Sequence, residues 1–274
     1  MIESLKFFGK QWLPPVIAGA LRGNRLGRTR FEGPYASWSA AAARSSGYDA
    51  AAILDKVLAA VLAVKRGEAV FERDSVLFHS LEYSWPVATA LMAAAARAGG
   101  QLNVLDYGGS LGSTYFQYRR LHAPLASVRW NVVEQEHFVR SGRQLEDGTL
   151  RFYETTGDCL RENVPNVVLA SSVLQYLQQP AEVISELASA GATYLIVDRT
   201  PLTGLSQDVA LVQHVDPAIY EASYPMWALS EQLLRDSLEP AYACVTDFQS
   251  PEGRLAVGQA VEVEFKGMLF ERRR

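Results

Sequence analysis

Residues 102–121 read LNVLDYGGSLGSTYFQYRRL: a β-like apolar run ends in Asp106, a glycine-rich turn follows, and an amphipathic helical pattern opens at Ser113. Gly108, Ser110 and Gly112 spell G-x-S-x-G, the strand-to-helix turn that presents a nucleophilic serine. A strand, a glycine loop and a helix also make a nucleotide cradle. The surroundings decide between the two. A nucleophile turn of this kind follows several earlier strands and an oxyanion loop, whereas the residues before Asn103 read as helices and contain no HGGG-like segment. Asp198 and His214 follow Ser110 in the order a triad needs, but with four histidines and many aspartates that order is cheap.

The cradle makes its own demand: an acidic residue at the end of the next strand, about twenty residues past the loop, to accept hydrogen bonds from two ribose hydroxyls. VRWNVVEQ places Glu134 there, followed by Gln135. Gly108, Gly109 and Gly112 would let the main chain approach a ligand without a Cβ in the way, leaving Ser110 as a spacer. The N–H groups that open the helix at Ser113 would face the ligand's polar end. Asp106, close to that loop, would repel a pyrophosphate and suit a cationic amino-acid portion. This favours S-adenosylmethionine over NAD.

Around this centre the chain alternates strand-like and helical segments. Strands are expected near Asn103–Tyr107, Arg129–Glu134, Leu150–Tyr153, Val167–Ser171 and Tyr194–Asp198, and such alternation argues for a parallel sheet covered on both faces. Ahead of it, Ile53, Val57, Val61 and Val64 form one helical stripe between Tyr48, with Asp49 as a cap, and Arg66. A second helix runs from Pro86 to Arg97 and stops at Gly99-Gly100. Past Asp198 the chain reads as a loop-rich insert over about 199–226, a helix near Trp227–Leu238, and a hairpin turning at Pro251 and Gly253. The expected organisation is an arm over 1–30, a helical cap over 31–100, and an α/β domain over 101–274.

The 274 residues are 49 % hydrophobic and 20 % charged, as in one large soluble domain with decorations. A net charge of −4 offers nucleic acid no global attraction, so no nucleic-acid partner is expected. Cys159, at the edge of a strand region, and Cys244, on what reads as a buried strand, form no C-x-x-C pair. Reduced thiols in a cytoplasm, and no metal, are expected. The arm carries Lys6, Lys10, Arg22, Arg25, Arg28 and Arg30 with Phe7, Phe8 and Trp12, against Glu3 alone. It lacks the roughly twenty apolar residues that span a bilayer. Two uses remain open: packing on the domain or a partner subunit, and peripheral contact with the inner face of a membrane. Oligomeric state is not legible.

On these motifs the chain resembles the class I S-adenosylmethionine-dependent methyltransferases over roughly residues 100–270. VLDYGGSLG is similar to their D/E-x-G-x-G-x-G loop with Ser110 replacing the middle glycine, and WNVVEQ to the strand that ends in the ribose-binding acid. TTGDC resembles the segment whose acid and neighbour, here Asp158 and Cys159, flank adenine. NVVLASSVLQYLQQP resembles the fourth-strand segment, with Ser171 among the cofactor-binding positions and Gln175-Tyr176 where a histidine is usual. More narrowly, FEGPYASW, FERDS, DYGGSLGS, VVEQ, SSVLQYL, DRTP and YEASYP resemble a bacterial group of methyltransferases, some encoded near surface-polysaccharide genes.

The resemblance implies a doubly wound, Rossmann-like sheet, mostly parallel with an antiparallel C-terminal hairpin. It also implies S-adenosylmethionine as cofactor and transfer to an oxygen or nitrogen of a small molecule or glycan. A hydroxyl acceptor needs a base beyond the strands' carboxyl ends. Asp198, His214 and His79 are the candidates, each with a structural role as its alternative. Tyr220, Tyr224 and Trp227 could wall a sugar face or belong to the core. Arg73 in FERDS could order the cap by pairing with a carboxylate. A module that keeps the fold without transferring anything stays open, as does, with less support, a hydrolase using Ser110.

Overall fold

A computed structural model describes residues 29–46, 50–215, 222–258 and 261–273. The front of the chain comprises β1 (Arg30–Tyr35), α1 (Trp38–Ala42), α2 (Ala50–Lys65), the hairpin β2 (Phe71–Arg73) and β3 (Val76–Phe78), and α3 (Trp85–Arg97). The alternating part follows: β4 (Gln101–Tyr107), α4 (Ser113–His122), β5 (Ser127–Val133), α5 (Glu136–Gly142), β6 (Leu150–Tyr153), α6 (Thr156–Glu162), β7 (Val167–Ser171), α7 (Pro180–Ser189) and β8 (Tyr194–Thr203). β9 (Val209–His214), β10 (Ser223–Ser230), α8 (Glu231–Leu238), β11 (Tyr242–Val257) and β12 (Val261–Arg272) complete it.

Period-two side-chain alternation explains why this sheet is covered twice. Val104, Trp130, Leu169 and Ile196 point into one layer with Val61 of α2, Leu91 of α3 and Phe116 of α4. Their neighbours Leu105, Val133, Val168 and Leu195 point into the other, with Ile184 of α7 and Leu234 of α8. The strands run β6-β5-β4-β7-β8, all parallel, and β12 then pairs antiparallel with β8 and carries β11 outside it. The fold is therefore a doubly wound, mostly parallel α/β sheet with an antiparallel C-terminal hairpin. Its order reverses between β4 and β7, the switch point at which such sheets bind ligands.

Two expectations need correction. The region over 31–100 holds strands as well as helices, because β1 pairs with β9, and β2 with β3. The segment over 199–226 is not loop-rich: β8 continues past Arg199 to Thr203, and β9 and β10 form an antiparallel extension. VALVQH and YPMWALS are β-formers, and the nearby Gly, Pro and Asp residues made them look like loop. Trp227 accordingly lies in β10, and the helix starts only at Glu231, capped by Ser230. Cys244 is exposed while Cys159, on α6, is buried; both are free. The Asp49 cap, Tyr220, and the arm except Thr29 and Arg30 lie outside the described residues. Among the described residues no helix is long and apolar enough to cross a membrane, and no group of three or more His, Cys, Asp and Glu could hold a metal.

Candidate active site

The glycine loop leaves β4 by a tight turn. Gly108 N–H donates to the Val133 carbonyl at 2.9 Å, and Gly112 N–H to the Gly109 carbonyl at 3.0 Å. Gly108 has φ +68°, and a Cβ there would stand 2.3 Å from Val173 Cγ2, so both conformation and space demand glycine. Ser110 adopts φ 54°, a left-handed conformation that explains why glycine is usual at this position in the family the sequence resembles.

Asp106 lies beneath the loop. It is 1 % exposed, and a Cβ on Gly109 would come within 2.6 Å of its carboxylate. Trp130 Nε1 donates to its Oδ2 at 2.8 Å. Burial pushes the Asp106 carboxyl up to about 7, with the Trp130 hydrogen bond opposing and the Glu134 charge reinforcing. Glu134, just past β5, reaches back to the loop: Ser110 N–H donates to Oε1 at 3.2 Å and Gln135 N–H to Oε2 at 2.8 Å. Burial raises this carboxyl too, against those two backbone donors. Asp106, Gly108, Gly109, Ser110, Gly112, Glu134 and Gln135 are thus gathered at the switch point.

At the head of α6, Thr155 caps the helix by accepting from Asp158 N–H at 3.0 Å and donates to Asp158 Oδ2 at 2.6 Å; Arg161 pairs with the same carboxylate. The Thr155 hydrogen bond, ahead of Arg161, holds Asp158 below the usual carboxylate range. The Cys159 thiol points into the core instead, packed with Val133 and Val168, and burial pushes it up to about 12. A groove of about 500 Å³ along β6 is lined by Arg143, Arg151, Tyr153, Glu154, Asp158 and Glu162. It shares Asp158 with this segment and no residue of the loop.

At the carboxyl end of β7, where its pairing with β8 stops, Ser171 Oγ donates to Asp198 Oδ2 at 2.9 Å. Asp198 is 6 % exposed and raised by burial, with Arg199 and Ser171 opposing. Of the three candidate bases it alone stands beside a cofactor candidate. His214 Nε2 lies 3.2 Å from Glu32 on β1, in the antiparallel extension, and His79 is exposed just past β3. The triad that Ser110 would need is not assembled, since Asp198 bonds Ser171 and His214 bonds Glu32. Trp227 stacks on Trp38 at 5.4 Å and donates to the Leu177 carbonyl; Tyr224 meets Tyr176 edge-on at 5.3 Å. These two rings anchor β10 to its neighbours.

Several residues were not anticipated. Arg199, with φ 51°, is half-buried and pairs with Asp74 of the β2–β3 turn at 2.9 Å and with Glu252 of β11 at 2.8 Å. The pairing expected of Arg73 is therefore made by its neighbour Asp74 instead. Gln175, 0 % exposed, donates to Ser172 Oγ at 3.2 Å, while its Oε1 and Glu252 Oε2 are buried without a partner among the described residues. Glu72 is buried and accepts from Ser113 Oγ at the head of α4. The only signal for these was the Phe-Glu-Arg/Val-Leu-Phe alternation around Asp74-Ser75, a short hairpin pattern without the usual Asn-Gly or Asp-Gly.

No protein-family model matches the sequence, and a search of curated proteins finds no relative. Solved structures similar to the chain include the N-terminal domain of EvdMO1 in the presence of SAH and D-fucose: 15 % identity, 82 % of this chain and 99 % of that one, TM-score 0.47. A second is CalS10, an amino pentose methyltransferase from Micromonospora echinaspora with SAM bound: 10 % identity, 78 % and 96 % coverage, TM-score 0.43. A third is the 1,6-didemethyltoxoflavin-N1-methyltransferase of Burkholderia thailandensis: 14 % identity, 81 % and 89 % coverage, TM-score 0.40.

Proposed function

We propose that the chain is a methyltransferase that uses S-adenosylmethionine and methylates an oxygen or nitrogen of a small molecule or glycan. The observation that carries this is the meeting of Glu134 with the Ser110 N–H at the switch point, over the buried Asp106. The residues fit the cofactor. Gly108 and Gly109 leave no room for a Cβ, so a ligand there faces bare main chain. Glu134 already directs both oxygens at N–H donors, and two ribose hydroxyls can take those acceptor sites. In its ionised form Asp106 lends negative potential to a site for a cationic ligand, which in turn favours that form, and disfavours a pyrophosphate.

When bound, S-adenosylmethionine supplies a methyl group on an electrophilic sulfonium. The chain must then present an acceptor in line and take up its proton. Asp198 is the group placed for this, with Ser171 holding one carboxylate oxygen and burial raising its basicity. The reading puts the enzyme in the cytoplasm, with residues 1–30 available for contact with a membrane face and surface-polysaccharide precursors among the acceptors.

The test is transfer of labelled methyl from S-adenosylmethionine to panels of sugars, amino sugars, phenols and heterocyclic amines. Label in a product, with kcat lowered at least 100-fold in Asp198→Asn while the affinity for S-adenosylhomocysteine is kept, supports the reading. Cofactor binding without transfer to any acceptor favours a binding module.

A further inference from the structure

The β2–β3 hairpin is anchored at two separated points. Glu72 accepts from Ser113 Oγ, on the first residue of α4, and from Ser75 N–H at 3.1 Å. Asp74, at the turn, accepts from Arg199, just past the end of the β7–β8 pairing. α4 follows β4, and β7 lies between β4 and β8. The hairpin therefore reaches from the head of α4 to the end of the β7–β8 pairing, beside the switch point.

Arg73 stands between the two anchors. Among the described residues its guanidinium has no hydrogen bond and no carboxylate within ion-pair distance. It lies against the Phe71 and Phe78 rings, 5.6 and 5.5 Å from their centroids. A ring face satisfies the charge but none of the five N–H donors. The charged groups that face it are Glu72 beside it on β2, Asp74 on the turn, Arg199 within β8 and Glu252 on β11, with the Tyr118 hydroxyl on α4. Asp74 and, through Oε1, Glu252 are paired with Arg199, and neither lies within ion-pair distance of Arg73. Burial and the like charge of Arg199 hold Arg73 below the usual arginine range. A partly buried guanidinium with uncommitted donors is unfavourable until something supplies an acceptor, and its planar fork matches a carboxylate.

We propose that Arg73 is the anion-binding residue of this site, gripping a carboxylate of the ligand bound beneath the hairpin. The inference rests on the cofactor reading for its setting. Two molecules could carry that carboxylate: the cofactor, through its amino-acid end, and the acceptor.

The experiment is calorimetric titration of S-adenosylhomocysteine and of 5′-methylthioadenosine, which lacks the amino-acid end, into the wild type, Arg73→Gln and Arg73→Lys. If the carboxylate is the cofactor's, Arg73→Gln weakens S-adenosylhomocysteine at least tenfold, Arg73→Lys weakens it less, and methylthioadenosine binds all three alike. If it is the acceptor's, S-adenosylhomocysteine binds all three alike. Malonate then raises the Tm of the wild-type complex and not that of the Arg73→Gln complex. The proposal is overturned if neither the nucleoside affinities nor the malonate shift distinguishes wild type from Arg73→Gln. Failure of the wild type to bind either nucleoside overturns the cofactor reading, and with it the setting of Arg73.

Discussion

Gly108→Ala tests the geometry of the loop apart from any ligand. At φ +68° an alanine pays the left-handed penalty, roughly 1–2 kcal/mol. Its Cβ would also stand 2.3 Å from Val173 Cγ2 and 2.7 Å from Val173 Cβ. Overpacking of that kind costs roughly 1–3 kcal/mol. The sum, about 2–5 kcal/mol, is a large share of the roughly 5–15 kcal/mol that holds a domain together. Urea unfolding of wild type, Gly108→Ala, Val173→Ala and the double variant separates the two parts. Val173→Ala removes the 2.3 Å contact but keeps the one at 2.7 Å, so the double variant recovers part of the steric cost and none of the conformational cost. The expected coupling is about 1 kcal/mol, within the usual range for residues in contact. Additive effects, or a Gly108→Ala variant within about 0.5 kcal/mol of wild type, the ordinary span of neutral surface substitutions, would refute the reasoning.

Ser110→Gly runs the other way: relief of left-handed strain, roughly 1–2 kcal/mol, outweighs the added unfolded-state entropy of glycine, roughly 0.4–1 kcal/mol, so urea unfolding should show a gain of about 0.5–1 kcal/mol. Asp106 is raised to about 7 in the fold, above its unfolded value near 4, so the folded chain binds the extra proton between those limits. Its contribution to stability is full below about pH 4 and is lost as pH rises through about 7. The stability difference between Asp106→Asn and wild type, measured by urea unfolding at pH 5 and pH 8, should therefore shift in favour of the variant at pH 8. Trp130→Phe removes the one side-chain donor to Asp106 among the described residues and should cost about 1–3 kcal/mol in the same assay. Glu252→Gln should cost more than Asp74→Asn, although both partner Arg199, because the side chain of Glu252 is 16 % exposed and that of Asp74 is 65 %. Removing one member of a buried pair costs about 3–5 kcal/mol, while an exposed partner contributes far less.

What could be read from the sequence was what short-range patterns encode. β4, β5, β6 and β7 announce themselves as apolar runs bounded by turns, and the distance from Gly112 to Glu134 is one helix and one strand. That spacing alone brought Glu134 to the loop. β1, β9 and the β2–β3 hairpin depend on pairing, Phe31 with Gln213 and Phe71 with Phe78, and their local signals are weak: β-formers flanked by Gly, Pro and Asp, and a three-residue alternation without a usual turn. The strand expected to end at Asp198 passes through Arg199, at φ 51°, and continues to Thr203, with Pro201 facing Phe265 of β12. The histidines illustrate the remaining limit: side-chain type suggested a base, but only the fold shows that His214 is tied to Glu32 while Asp198 meets Ser171. Arg73 and Arg199 differ in the same way, since Asp74 and Glu252 both pair with the second and neither with the first.

The most direct measurement is calorimetric titration of S-adenosylhomocysteine into the wild type and Glu134→Ala. Micromolar binding, about −8 kcal/mol, is predicted for the wild type, with a loss of roughly 1.5–3 kcal/mol in the variant as hydrogen bonds to a charged group warrant. Absence of binding in the wild type, or equal binding by both proteins, would contradict the account, and labelling of Ser110 by a serine-reactive phosphonate would make the glycine turn a nucleophile's after all.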